Sequence, residues 1–119
     1  REVLHANARR ACCLLKAMSN QYRLLILCQL VEGEKCVGEL ERLVGLGQSA
    51  MSQHLPRLRR DKLVKTRRQA QTIFYSLAGE ESRLVLEALY AIYCQPGKPL
   101  IPDDAKPYED QTEKTLPLA

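Results

Sequence analysis

From Gly45 to Arg60 the chain runs Gly-Leu-Gly-Gln-Ser-Ala-Met-Ser-Gln-His-Leu-Pro-Arg-Leu-Arg-Arg, and no other segment constrains the fold as strongly. The glycines mark a turn. The helix that follows shows Gln48, Ser49, Ser52, Gln53 and His54 on its outer face, then enters a cluster of arginines. Amides and hydroxyls bond base edges, and cations bond phosphates. A helix ordered in that way suits a DNA groove.

The flanking pattern supplies the rest of the architecture. Leu4, Ala8, Ala11, Leu15 and Met18 recur in steps of four and three, which predicts a first helix over residues 3–18. Ser19 or Asn20 can cap a second helix, with Leu24, Leu25, Leu27, Leu30 and Val31 supplying its apolar side and Gly33 ending it. A short third helix is expected at 37–44, closed by Gly45, and a fourth from Gln48 to about Arg60. The period then changes. Residues 63–67 and 72–77 are rich in β-branched and aromatic side chains and predict a two-stranded hairpin. The turn at 68–71 lacks glycine, so a loop looser than two residues is expected. A last helix is expected at 80–94. It carries one stripe of Val85, Leu89 and Ile92 and another of Leu86, Tyr90 and Tyr93.

Four helices, a hairpin and a fifth helix make a mostly α winged helix-turn-helix, with the fourth helix as the reading helix. The hairpin is its wing and presents Arg67, Arg68 and Gln71 to the DNA backbone or minor groove. A last helix that is apolar on two sides has more to bury than one small domain covers. A homodimer through the first and last helices is therefore expected. The domain is expected to span 1–95. Beyond it, 96–119 holds five of the six prolines and reads as a flexible tail.

Charge supports a polyanion partner. Net charge is +4, but residues 95–119 carry three Lys against five Asp/Glu, leaving 15 basic against nine acidic residues in the first 94. Arg57, Arg59, Arg60, Lys62, Lys65, Arg67 and Arg68 lie within 12 residues, opposed there only by Asp61. Such a cluster is the footprint of double-stranded DNA. It also argues against a winged helix that binds only protein. No apolar run approaches the roughly 20 residues that span a bilayer, and no secretory pattern opens the chain, so a cytoplasmic protein without a membrane partner is expected. Nothing supports an enzyme: there is no phosphate loop, paired carboxylate motif or Cys/His base arrangement. No cofactor is expected.

The five cysteines are Cys12, Cys13, Cys28, Cys36 and Cys94. An odd count without a CxxC pair argues for free thiols rather than a disulfide scaffold or zinc ribbon. His5 and His54 stand alone and read as surface or DNA-facing residues, not ligands. On residue chemistry alone, Cys28 reads as a small buried hydrophobe.

Several segments together resemble the ArsR family of bacterial winged-helix repressors. They are Leu14-Leu-Lys-Ala-Met-Ser19, Arg23-Leu-Leu-Ile-Leu-Cys28, Val37-Gly-Glu-Leu40, Gln48-Ser-Ala-Met-Ser-Gln-His-Leu55, Leu58-Arg59, Leu63-Val64 and Tyr75-Ser-Leu77, spread over about residues 10–95. The resemblance implies a homodimer on an inverted-repeat operator, released by a small inducer. Pro56 departs from the pattern. It removes a backbone bond to the Ser52 carbonyl and is expected to kink the reading helix, at a cost of roughly 3 kcal/mol in a regular interior.

The resemblance also bears on the inducer. Residues 80–94 contain no His, which excludes the zinc site that family members build on the last helix. Thiophilic-metal sensors carry a Cys-x-Cys motif where this chain has Cys36-Val37-Gly38, so only the first Cys is present. A thiolate site from Cys36 with Cys12 or Cys13 stays open as an alternative, as does a virulence-type activator or anti-silencer without an inducer. Cys28 and Cys94 match the two cysteines of the persulfide-sensing subgroup, which resembles BigR, SqrR and HlyU. That match implies that reactive sulfur species link the two thiols. A helix C-terminus raises a thiol pKa, whereas Cys36, expected at a helix N-terminus, sits at the favourable end of the dipole.

Overall fold

The computed structural model describes residues 1–94; the tail expected at 96–119 lies outside the described residues. In chain order the elements are α1 (Glu2–Met18), α2 (Gln21–Val31), β1 (Lys35–Cys36), α3 (Val37–Val44), α4 (Gln48–Arg60), β2 (Val64–Gln69), β3 (Thr72–Leu77) and α5 (Glu81–Tyr93). This is a winged helix with one strand more than the sequence pattern predicts. β1 pairs antiparallel with β3, Lys35 opposite Tyr75 and Cys36 opposite Phe74, giving the sheet order β1-β3-β2. Two residues are too few to display an alternating pattern, which is why the strand escapes sequence reading.

Asn20 starts α2, its Oδ1 accepting from the backbone N–H groups of Tyr22 and Arg23 at 3.0 Å each. These are two of the donors that a helix N-terminus leaves unpaired. Arg23 then braces the preceding helix, its Nε donating to the Ala17 carbonyl at 2.6 Å. The core gathers around α2. Ile26, Leu27 and Leu30 meet Leu40 from α3, Met51, Leu55 and Leu58 from α4, Val64 and Leu77 from the sheet, and Leu86 from α5.

Gly45 closes α3 at φ +84°, a left-handed conformation that L side chains resist, and the extended Gly47 leads into α4. α4 ends less comfortably. Lys62 N donates to the Arg59 carbonyl at 3.0 Å and Leu63 N to the Leu58 carbonyl at 2.9 Å. This is a Schellman ending in which Lys62, at φ +63°, takes the place that glycine usually fills. Buried Leu58 and Leu63 accompany it.

One expectation is corrected. The wing turn is tight: Gln69 pairs with Thr72, so only Ala70 and Gln71 form the loop. Ala70 supplies the required positive φ, at +57°, although it is not glycine. Separately, Pro56 lies inside α4 on its exposed side, and the helix extends without a break from Gln48 to Arg60.

The terminal helices leave much apolar surface uncovered. On α1, Val3, Leu4 and Leu15 are exposed, and burial in the core is confined to Ala17 and Met18 at its end. On α5, Leu86 is buried while Leu84, Tyr90 and Tyr93 are exposed.

Candidate nucleic-acid interface

α4 buries Met51, Leu55 and Leu58 at spacings of four and three, so its opposite side must face outward. That side carries Gln48, Ser49, Ser52 and Gln53, all exposed. Arg68 and Gln71 are exposed on the wing. None of these six side chains has a hydrogen bond or ion pair among the described residues, which leaves their polar atoms available to a ligand.

The other three residues read from sequence are engaged within the chain. His54 is half-buried, with its ring centroid 6.3 Å from that of Tyr22 at the start of α2. Burial, and then the Arg23 cation, push its pKa below the usual histidine value, so the imidazole is neutral at pH 7. Arg57 Nε donates to Asp61 Oδ2 at 3.3 Å, one helical turn on. Arg67 donates to both carboxylate oxygens of Glu34, at 2.7 and 2.8 Å. Its guanidinium also lies 4.6 Å from the Phe74 ring centroid.

Tyr22, Arg23 and Glu34 thus belong to the neighbourhood of the interface, and sequence reading missed all three. Their partners are distant: Glu34 and Arg67 are separated by 33 positions. One polar contact nearby does have a local signal. Glu39 follows Cys36 by three positions, as a capping box requires, and its Oε1 accepts from the Cys36 backbone N–H at 3.0 Å. That bond is the main cause holding the Glu39 carboxyl below the usual glutamate value.

Residues 20–66 match the family described as bacterial regulatory protein, arsR family. The transcriptional activator HlyU of Vibrio cholerae serotype O1 is 51% identical over 94 residues, covering 79% of this chain and 87% of that protein. The chain belongs to the ArsR family. A second relative, the biofilm growth-associated repressor of Xylella fastidiosa, is 44% identical, covering 79% of this chain and 82% of its own. The structure titled reduced HlyU from Vibrio cholerae superposes with a TM-score of 0.76 at 49% identity, covering 80% of this chain and all of that one. A more distant likeness is the homodimeric winged helix-turn-helix DNA-binding domain Mb0332 from Mycobacterium bovis. It superposes with a TM-score of 0.67 at 26% identity, covering 76% of this chain and 84% of that one.

Like these relatives, the chain is a transcriptional regulator of the ArsR family. Its thiols are all free, and Cys36 alone is half-buried. Cys28, read from sequence as a buried hydrophobe, is exposed instead: it lies on the outer side of α2, in line with Gln21, Leu25 and Glu32. It is still crowded. Burial is the first cause raising its pKa above the usual thiol value, and the charge of Cys94 is the second. That second cause puts the two thiols within electrostatic range of each other. Among the described residues no three His, Cys, Asp or Glu side chains gather to hold a metal, so Cys36 does not join Cys12 and Cys13 within one chain. No helix of the described residues is long and apolar enough to cross a membrane.

Proposed function

We propose that this ArsR-family chain is a dimeric repressor that reads an inverted-repeat operator with α4 and releases it when persulfides link Cys28 to Cys94. The observation that carries the reading is a free polar face on α4, Gln48 to Gln53, in a chain whose Cys28 on α2 and Cys94 at the end of α5 are both free and exposed. Base contacts come from Gln48, Ser49, Ser52 and Gln53, and backbone contacts from Arg68 and Gln71 on the wing. Two copies joined through the exposed apolar sides of α1 and α5 hold two such helices about one DNA turn apart, or a multiple of it, so the operator is an inverted repeat. The homodimeric Mb0332 domain supports that assembly.

The sulfur chemistry balances without a further oxidant. Each thiolate attacks the outer sulfur of one persulfide and expels a thiolate, leaving a protein persulfide. One protein persulfide then attacks the other to give a Cys28–S–S–S–Cys94 bridge, and hydrogen sulfide leaves. A bridge of this length tolerates a wider separation than a direct disulfide, whose Cα atoms lie roughly 4.4–6.8 Å apart.

Repression follows the biofilm growth-associated repressor; HlyU is named an activator, and a promoter-reporter assay separates the two. The decisive experiment adds glutathione persulfide to operator complexes of the parent, Cys28→Ser and Cys94→Ser. The parent is expected to release DNA with a mass gain bridging the two cysteines, and both variants to stay bound. Release by both variants at the parent's rate disproves the assignment of the switch to these thiols.

A further inference from the structure

Arg67 is expected from sequence to meet DNA phosphate, yet its guanidinium is committed elsewhere. Nε and Nη2 hold the two oxygens of Glu34 in a fork, Nη1 donates to Gln69 Oε1 at 3.0 Å, and the planar group covers the Phe74 ring. A two-pronged guanidinium–carboxylate pair fixes orientation as well as position, and stacking on an aromatic face removes further freedom. The geometry across the sheet gives the contact its meaning. Arg67 lies opposite Phe74 on β3, and Phe74 lies opposite Cys36 on β1. The arm of Arg67 therefore crosses the central strand and grips the residue that leads into β1. Glu34 sits three residues after Val31, the end of α2, so the wing is fastened to the helix that carries Cys28. Arg83 of α5 meets the same end of α2, its Nη1 donating to the Val31 carbonyl at 3.5 Å.

We propose that Glu34, Arg67 and Phe74 form a latch that sets the angle of the wing against the end of α2, and that Arg67 is a positioning residue rather than a phosphate contact. The inference rests on the DNA-binding reading above. The latch fixes where Arg68 and Gln71 stand relative to α4. It also gives a displacement of α2 a short path to the wing.

The test uses the full chain and the inverted-repeat DNA that it selects from a random pool. Affinities for that DNA and for random duplex are measured across salt for the parent, E34Q, R67Q, the double variant and R68Q, and amide exchange is followed over residues 64–77 without DNA. E34Q and R67Q are each expected to speed exchange in the wing and to lower the preference for selected over random DNA by roughly threefold, in line with an exposed ion pair. The double variant should lose no more than either single one, because both remove the same contact. R68Q should reduce the salt slope by about 0.9, whereas R67Q should leave it near the parent value. Tighter binding of the selected DNA by E34Q overturns the latch, since Glu34 then only competes with phosphate. So does a loss of one slope unit in R67Q with exchange unchanged. If the parent shows no sequence preference at all, the DNA-binding reading fails instead. Exchange then decides alone: unaltered wing protection in both single variants refutes the latch.

Discussion

Leu15→Ser should weaken self-association by one to two orders of magnitude without unfolding the domain. Leu15 lies on the uncovered side of α1 and is 55% exposed in the single chain, so the chain's own core loses little when it is shortened. Full burial of a leucine is worth about 1.5–3 kcal/mol, and the part still available to a partner is slightly over half, or about 1–1.5 kcal/mol. A two-fold dimer loses this twice, about 2–3 kcal/mol in all. At about 1.4 kcal/mol per decade, the dimer dissociation constant rises roughly 30- to 150-fold. Sedimentation velocity over a dilution series measures that shift, and far-ultraviolet circular dichroism checks the fold. Leu43→Ser is the control: Leu43 is 47% exposed on α3, which packs mainly against α2, α4 and the sheet. If Leu15→Ser leaves the midpoint in place, or Leu43→Ser moves it further, the interface does not use α1 and the symmetry argument for an inverted repeat goes with it.

Two further outcomes follow from strained or crowded positions. Lys62→Gly should raise stability by about 0.5–1 kcal/mol, because relief of the left-handed backbone at φ +63° exceeds the entropy that glycine adds to the unfolded chain; a lower melting temperature contradicts this. Cys28 should alkylate more slowly at neutral pH than a free cysteine thiol, its rate rising further into the alkaline range, since burial and Cys94 both favour its protonated form. Cys94→Ser removes the second cause and should move the Cys28 rate profile to lower pH. An unmoved profile means that the two thiols are not neighbours.

The helices were legible because each carries a local signal. Asn20 caps α2, Gly45 and Gly47 frame the helix-turn-helix, and Met51, Leu55 and Leu58 keep the inward side of α4 in step. What escaped lacks a local signal or overrides one. β1 is two residues long and exists only because β3 offers its edge. Ala70 and Lys62 occupy left-handed positions that composition assigns to glycine, so the tight wing turn could not be read from residue type. Residue chemistry alone puts Cys28 in the core, whereas the family resemblance makes it a reactive thiol; a cysteine follows the side of the helix on which it falls, and on α2 that side faces out.

The charge cluster read from the sequence carries less free charge in the fold than its count suggests. The seven cations between Arg57 and Arg68 appear in sequence to face a single acid. In the fold Asp61 draws two of them, Arg57 at 3.3 Å and Arg60 at 3.7 Å, and Glu34 arrives from outside the segment to take Arg67. Arg59, Lys62, Lys65 and Arg68 keep no ion pair among the described residues. All seven still contribute to the long-range field that draws a polyanion in, because that field sums over paired and unpaired charges alike, less the acids. Contact with phosphate is different: a paired guanidinium must first give up its carboxylate. The sequence therefore points to the class of partner, DNA, that ArsR-family regulators bind, while the ion pairs of the fold separate the cations that are free to reach phosphate from those already held by a carboxylate.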